Sequence, residues 1–166
     1  MQRIFAFALF VLLPLVGGCS KPQPAEPLTV GFSCEFRAQY NDLAAAGTLT
    51  RQTAESVSLE FSEPDTLKGL TAKWDGQTVR LQYLGLSYSV DPNDLPENAL
   101  GEQLLSVFQT VLQHHGDSIQ ENGRVTVTGL NGNNPYSYVY DAESGMPLSL
   151  SVPAIPLTVT FSNVTK

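Results

Sequence analysis

The residues best suited to chemistry in this 166-residue sequence are few and scattered. His114 and His115 are adjacent and Asp117 follows them, and these residue types bind metal ions. Neighbouring residues of a helix point about 100° apart, however, so the two imidazoles do not converge as a pair four residues apart would. Most acidic residues fall in predicted turns, where they cap and solvate the backbone. The sequence therefore predicts no metal site and no cofactor.

Known catalytic motifs are missing from the sequence. It has no Gly-x-Ser-x-Gly elbow, no phosphate-binding loop and no Cys-x-x-Cys pair, and no two carboxylates are predicted to meet at one scissile bond. We therefore expect no enzyme. Nine Lys and Arg residues stand against sixteen Asp and Glu residues, for a net charge of −7. Such a chain repels phosphate backbones, so a nucleic-acid partner is excluded.

The first eighteen residues have the features of an export signal. Arg3 precedes an apolar run over residues 4–16, and Gly17-Gly18 then lead to Cys19. The run is shorter than the roughly 18–20 residues of a membrane-spanning helix. The junction LVGGC resembles a bacterial lipobox, and this resemblance implies a diacylglyceryl group on the thiol of Cys19 and an acylated (palmitate-type) N-terminus. The alternative is an ordinary signal followed by a chance cysteine.

These features predict an exported protein held to the membrane by lipid. We expect a signal peptide over residues 1–18, a lipid anchor and Pro-rich spacer over 19–28, and one folded domain over 29–166. Two or more acyl chains on one residue give stable anchoring. Only Cys34 then remains as a thiol, and its apolar surroundings favour a small buried side chain over a reactive group.

The domain alternates between apolar and polar residues along most of its length, as strands with one buried face do. Asp75-Gly76, Asn122-Gly123 and Asn131-Gly132 are tight-turn dipeptides between such runs, which indicates antiparallel neighbours. The pattern predicts eight to ten strands, the first hairpin lying within residues 28–52. The alternating Tyr136, Tyr138 and Tyr140 form either a ladder on one face or a surface for a partner.

One segment has helical periodicity instead. Asp94 and Glu97 resemble a capping box, and apolar residues then recur at three- and four-residue spacing up to Val111. The spacing predicts a helix over residues 96–114. Because one helix of roughly 28 Å cannot cover a flat sheet of this size, the sheet must curl around it. The predicted fold is mainly β (α+β): a curled antiparallel sheet, or incomplete β-barrel, with one main helix across the concave face.

This architecture leaves an apolar space between helix and sheet unless side chains fill it. The helix stripe of Leu100, Leu104, Phe108 and Val111 either lines such a cavity or is ordinary core. The aromatic residues Trp74, Tyr83 and Tyr88 either edge the mouth of the cavity or pack as strand residues usually do.

Several segments resemble the periplasmic lipoprotein carrier and outer-membrane lipoprotein receptor (LolA/LolB-like) superfamily. They are the Phe-rich first strand at residues 32–36, Gly47-Thr48-Leu49, the apolar strand and turn at 59–65, the Asp-Gly hairpin at 74–79, and the late hairpin at 141–148. The resemblance covers most of residues 30–162. It implies an incomplete β-barrel lidded by helices, with an apolar cavity for acyl chains.

The sequence departs from that family in two respects. The soluble carrier has an arginine that holds its lid shut, and the nearest basic residue here, Arg51, is displaced by a residue or two, so this role is not carried over. The chain also has its own lipidation signal, which fits an anchored receptor or lipid-binding lipoprotein rather than a soluble shuttle.

The sequence therefore predicts a membrane-anchored lipoprotein that binds an apolar ligand, either a lipid or the acyl chains of a lipoprotein. A largely preformed cavity would bury the acyl methylenes, and exchange would require the helix or the 91–98 loop to move. The alternative is a non-enzymatic envelope interaction or regulatory module with a filled core. The oligomeric state stays open.

Overall fold

The structure is a computed structural model that describes residues 23–91, 94, 99–113 and 116–166. Within these ranges it contains eleven β-strands and one α-helix. The predicted signal peptide, Cys19, and the His114-His115 pair lie outside the described residues, as does most of the 91–98 loop.

The strands are short and follow one another closely in the chain. They are β1 (Phe32–Tyr40), β2 (Leu43–Arg51), β3 (Val57–Glu63), β4 (Thr71–Trp74), β5 (Val79–Tyr83), β6 (Leu86–Val90), β7 (Asp117–Glu121), β8 (Arg124–Asn131), β9 (Asn134–Asp141), β10 (Pro147–Val152) and β11 (Leu157–Thr165). The helix α1 (Leu100–Leu112) lies between β6 and β7 in the chain.

All eleven strands belong to one antiparallel sheet in the order β6-β5-β4-β3-β2-β1-β11-β10-β9-β8-β7. Each neighbour in the sheet is also a neighbour in the chain except for the pair β1–β11, which joins the two halves. Strands β6 and β7 are the two edges of the sheet. The predicted antiparallel meander is confirmed, and α1 links one edge to the other.

Alternation along the strands builds one buried face. In β1 the side chains of Cys34, Phe36 and Ala38 are buried, whereas Glu35 and Arg37 between them are exposed. Tyr136, Tyr138 and Tyr140 are all buried on one face of β9, so they form a ladder within the core.

Two sequence predictions need correction. The sheet has eleven strands rather than eight to ten, because the turn before β6 and the polar sequence of β7 give weak signals. The hairpin that leads into β6 turns at Leu84-Gly85, with positive φ at both residues, and Leu-Gly is not a typical turn dipeptide. The helix begins at Leu100 instead of residue 96, since Ala99 has an extended backbone (φ −58°, ψ 132°) and is its N-cap. No side-chain hydrogen bond caps the helix at Ala99, and Glu97 of the predicted capping box lies outside the described residues.

The predicted curl follows from the sizes of sheet and helix. At about 4.8 Å between strands, eleven strands laid flat would measure about 48 Å across. The thirteen residues of α1 extend about 20 Å. A single helix therefore covers the apolar face only if the sheet curls around it, and α1 lies on the concave face. This helix, the one that the described residues contain, is not long and apolar enough to cross a membrane.

The segment before β1 is bonded to the domain. The Ala25 amide donates to the carbonyl of Ala142 (2.8 Å), and the Leu28 amide donates to that of Gly145 (2.7 Å). Gly145 has a φ of +73°, and a Cβ there would lie 2.1 Å from the Glu26 carbonyl oxygen, so this close approach requires glycine. The predicted 19–28 spacer thus overlaps the folded domain from Ala25 onward.

Strands β1–β5 and β8–β11 share one hydrophobic core with the helix. Strands from both halves of the sheet contribute to it, together with the buried face of α1. Residues 20–166 contain all of these elements and the attached segment at residues 25–31. We therefore treat residues 20–166 as the folding unit.

Gly101 provides a test of how closely α1 approaches the sheet. A Cβ at this position would lie 2.2 Å from the ring of Trp74. Alanine normally stabilises a helix by about 1 kcal/mol relative to glycine, but here we expect Gly101→Ala to destabilise the domain by about 1–3 kcal/mol through overpacking. Urea unfolding of residues 20–166 measures the change.

The control is the same substitution in a Trp74→Leu background. Leucine leaves room for the added methyl group, so Gly101→Ala should then be neutral or stabilising. Equal effects of Gly101→Ala in both backgrounds would contradict the close contact.

Candidate functional site

The apolar stripe of α1 fills the concave side of the sheet. Leu104, Val107, Phe108 and Val111 are all buried. Phe108 lies at the centre of this packing, with its ring centroid 5.8 Å from that of Phe32 and 5.8 Å from that of Tyr138 in edge-on geometry. Phe161 lies at 6.0 Å. One helical side chain thus contacts β1, β9 and β11 from both halves of the sheet.

Polar side chains bind the helix to both halves of the sheet. Ser106 Oγ donates to Asn131 Oδ1 at the end of β8, and Asn131 Nδ2 donates to Gln103 Oε1 (3.2 Å). On the other half of the sheet, Gln109 Nε2 donates to the carbonyl of Ala54 in the β2–β3 turn. The helix is therefore tied to each half of the curled sheet.

The structure brings most of the predicted ligand-binding residues together. Leu104, Phe108 and Val111 share the buried stripe, and Trp74 packs against α1 at Gly101, while Leu100 is half-buried at the helix start. Tyr83 lies apart from them on β5, where its hydroxyl donates to the carbonyl of Thr66 (3.4 Å). Whether these residues contact a ligand stays a prediction.

The expected preformed cavity is not open in this conformation. Leu104, Val107 and Phe108 are completely buried. A cavity of about 130 Å³ lies under the end of α1 between Val111, Val127 and Tyr140, well below the roughly 300 Å³ that a drug-sized ligand needs. Side chains of α1 occupy the space that an acyl chain would take, because the helix stripe and the concave face are both apolar and complementary.

Apolar side chains on the hairpin of β5 and β6 are exposed on the concave face, in part or in full. Leu81 pairs with Tyr88 and Tyr83 pairs with Leu86, so these four side chains share the face that carries the core residue Val79. Leu86 is 77% exposed and Tyr88 is 69% exposed. We call Leu81, Tyr83, Leu86 and Tyr88 the uncovered inner face. It extends the apolar interior to the edge of the sheet.

Arg51 is a site residue that the sequence reasoning missed. It ends β2 on the concave face with no exposed surface, its Nη2 donates to the carbonyl of Ala54 (2.7 Å), and its guanidinium carbon lies 5.2 Å from the centre of the Phe108 ring. The signal was present in the sequence. Residue 51 lies two residues after Leu49 and four after Gly47, both of which face inward, and alternate residues of a strand share a face. A charged residue at an inward position is rare enough to have marked the site.

Comparisons with known proteins support the fold. No family model matches the chain, and no curated protein matches it in sequence. An uncharacterized conserved protein of Thermus thermophilus is similar in structure, with a TM-score of 0.51 and 11% identity over 84% of this chain and 80% of that one. A chain in the structure of the CwlD amidase from Clostridioides difficile in complex with the GerS lipoprotein has a TM-score of 0.49 and 16% identity, over 81% of this chain and 85% of that one.

A LolA superfamily protein from Nitrosomonas europaea is also among the similar structures, with a TM-score of 0.43 and 8% identity over 81% of this chain and 84% of that one. This is the superfamily that the sequence resembles. The likeness to the Thermus thermophilus protein, at 11% identity, concerns the fold alone.

Cys34 provides a test of how closed the core is. Burial raises the pKa of its thiol to about 12, so the reactive thiolate is nearly absent at pH 8. In residues 20–166, where it is the sole cysteine, we expect iodoacetamide to modify Cys34 at least about a hundredfold more slowly than in the same chain unfolded in guanidinium chloride. Mass spectrometry measures the modified fraction, and rapid labelling of a chain with an unchanged circular dichroism spectrum would contradict the closed core.

Proposed function

We propose that this protein is an envelope lipoprotein that binds an acyl chain of a lipid or of another lipoprotein between α1 and the curled sheet. In this proposal Cys19 carries the membrane anchor, residues 20–24 connect it to the domain, and no catalysis takes place. The helix moves aside to admit the ligand, which then contacts Leu104, Phe108 and the other residues of the stripe.

The observation that carries the proposal is the uncovered inner face. Soluble domains seldom leave large neighbouring apolar side chains exposed on a face that continues their core, and such patches commonly mark binding sites. Here Leu86 and Tyr88 lie on the same concave face as the buried Val79 and Trp74. An acyl chain laid on this surface reaches the interior without crossing a polar barrier.

The attachment of the helix also supports exchange. Its interior contacts are apolar side chains, which acyl methylenes replace with little change in chemistry. Its polar contacts include hydrogen bonds to the Asn131 side chain and to the Ala54 carbonyl. Breaking these hydrogen bonds exposes partners that water satisfies, so each costs about 0.5–1.5 kcal/mol.

Native mass spectrometry of residues 20–166, purified without detergent, tests ligand binding directly. The expected result is a set of adducts in the mass range of phospholipids or lipidated peptides. A mass without adducts, unchanged after incubation with envelope lipids, would contradict the proposal.

A disulfide that locks the helix tests whether α1 must move. Ser106 and Asn131 are in side-chain contact, so Ser106→Cys with Asn131→Cys joins α1 to β8 when oxidised. We expect the oxidised variant to take up no lipid and the reduced variant to take it up, because only the reduced form releases the helix. Lipid content before and after dithiothreitol is the measurement.

The single variants Ser106→Cys and Asn131→Cys are the controls, since each loses the native hydrogen bond without gaining a lock. Both should take up lipid whether or not a reductant is present. Equal uptake by the oxidised and reduced forms of the double variant would show that ligand enters without movement of the helix at this position.

Substitutions on the uncovered inner face separate binding from stability. Leu104 and Phe108 are core residues, and truncating either costs about 2–5 kcal/mol, so variants there do not isolate ligand contact. Leu86→Ser with Tyr88→Ser removes exposed apolar surface, and we expect co-purified lipid to fall at least about threefold while the melting temperature changes little.

The matched control lies on the same strand and the opposite face. Ser87→Gln with Ser89→Gln alters two exposed outward-facing residues of β6 and should leave the lipid content unchanged. Equal losses in both pairs of variants would point to damage to the edge strand rather than to loss of a ligand surface.

The filled core favours a second candidate, an interaction or regulatory module that binds another protein through the exposed edge. The stretch from Leu84 to Val90 has no charged residue, and β6 has one backbone edge free of strand pairing within the described sheet. Such edges accept a further strand. Two results together would favour this function: the purified protein carries no lipid, and the Leu86→Ser, Tyr88→Ser variant no longer binds the partner.

A further inference from the structure

Arg51 has buried hydrogen-bond donors without partners. The side chain has no exposed surface, and of its three nitrogens only Nη2 makes a hydrogen bond, to the carbonyl of Ala54. Nε and Nη1 are buried and have no acceptor. A guanidinium has five N–H donors, and leaving them unmatched in an apolar interior is costly.

The charge of Arg51 is also unmatched. Within the part of the chain that the structure describes, no carboxylate lies at ion-pair distance from it, and apart from the Ala54 carbonyl its charge faces the ring of Phe108. Burial lowers the pKa of the guanidinium to about 10, which still leaves it positive at neutral pH. A buried cation is normally accompanied by an anion.

The position of Arg51 suits one end of an amphiphile. Val57, Trp74, Val79 and Val90 pair in succession across β3 to β6, and Arg51 on β2 begins this row on the same concave face. Four strand spacings measure about 19 Å along the sheet, comparable with an extended long acyl chain. Trp74 Nε1, in the same row, is a further buried donor without a partner.

We propose that Arg51 recognises the anionic head group of the ligand, so that the protein selects amphiphiles with a carboxylate or phosphate group on an acyl chain. This inference rests on the proposed function and narrows its substrate class. The guanidinium pairs with the head group next to Phe108, and the acyl chain follows the row under α1 toward the uncovered inner face. Arginine suits this role because its planar donors match carboxylate and phosphate oxygens.

The test compares ligands that differ only in the head group. Residues 20–166 are titrated at pH 8 with hexadecanoic acid, hexadecyl phosphate and hexadecan-1-ol, and separately with inorganic phosphate. We expect the two anionic amphiphiles to bind at least about tenfold more tightly than the alcohol, as a charge-assisted hydrogen bond in an apolar site provides. Inorganic phosphate alone should bind far more weakly than either.

Arg51→Met removes the guanidinium and keeps the length of the side chain. In this variant we expect the affinity for the acid to fall to that for the alcohol, while the affinity for the alcohol is unchanged. Arg80→Met is the matched control, because Arg80 is exposed on the outer face of β5 and its loss changes the net charge equally. It should keep the preference for the acid.

Replacing a buried charge with an apolar residue is often neutral or stabilising, and thermal unfolding of Arg51→Met checks this. If that variant fails to fold, the test depends on Arg51→Lys and on the preference of the unaltered protein for the acid over the alcohol. The lysine variant should keep part of the preference for the acid.

Each further outcome is decisive. Equal binding of acid and alcohol by the unaltered protein would overturn the inference and leave acyl binding intact. If the unaltered protein binds neither the acid nor the alcohol, the proposed function is overturned as well. Inorganic phosphate that binds as tightly as the acid would show an anion site independent of the acyl chain, which also contradicts the inference.

Discussion

The structure depends on the packing of one helix into a sheet far wider than itself. Phe108 contacts aromatic rings of β1, β9 and β11 and lies next to Arg51 of β2, so a single side chain joins both halves of the meander. Without α1 the concave face would expose its apolar residues to water. The curl of the sheet, the burial of the tyrosine ladder and the position of Arg51 are all consequences of closing the sheet around this helix.

The same constraint explains why the concave face is filled at its centre and bare at one edge. A helix of about 20 Å reaches Trp74 at one end and the Asn131 group on the other half of the sheet, but it does not extend over β5 and β6. The apolar surface of this hairpin therefore stays exposed. A domain that needed only stability would gain from polar residues at Leu86 and Tyr88, and this exposed apolar surface is what the proposed function uses.

The sequence predicted the sheet well because alternating apolar and polar residues directly indicate a strand with one face buried against other elements. It did less well where that signal is weak. Strand β7 has a single large apolar residue, Ile119, and it is exposed, so nothing in the five-residue run separates it from a loop. The helix start was misplaced because Asp94 and Glu97 have the spacing of a capping box, whereas the extended backbone of Ala99 sets the boundary. Arg51 was set aside because it is displaced by a residue or two from the arginine of the soluble carrier, and its inward position in β2 was not considered.

A filled interior and a function in acyl binding are compatible on energetic grounds. Burial of Leu104, Val107, Phe108 and Val111 contributes about 2 kcal/mol for each side chain, or about 8 kcal/mol in all. About ten acyl methylenes, at about 0.8 kcal/mol each, supply a similar amount when they enter the same surroundings. The closed and loaded forms are then close in free energy, which is what exchange of a ligand between membranes or carriers requires. In the proposed function, the buried charge of Arg51 favours the loaded form when the ligand brings an anion, and a neutral chain of the same length gains no such advantage. Under this proposal the apolar stripe determines whether an acyl chain binds, and Arg51 determines which one.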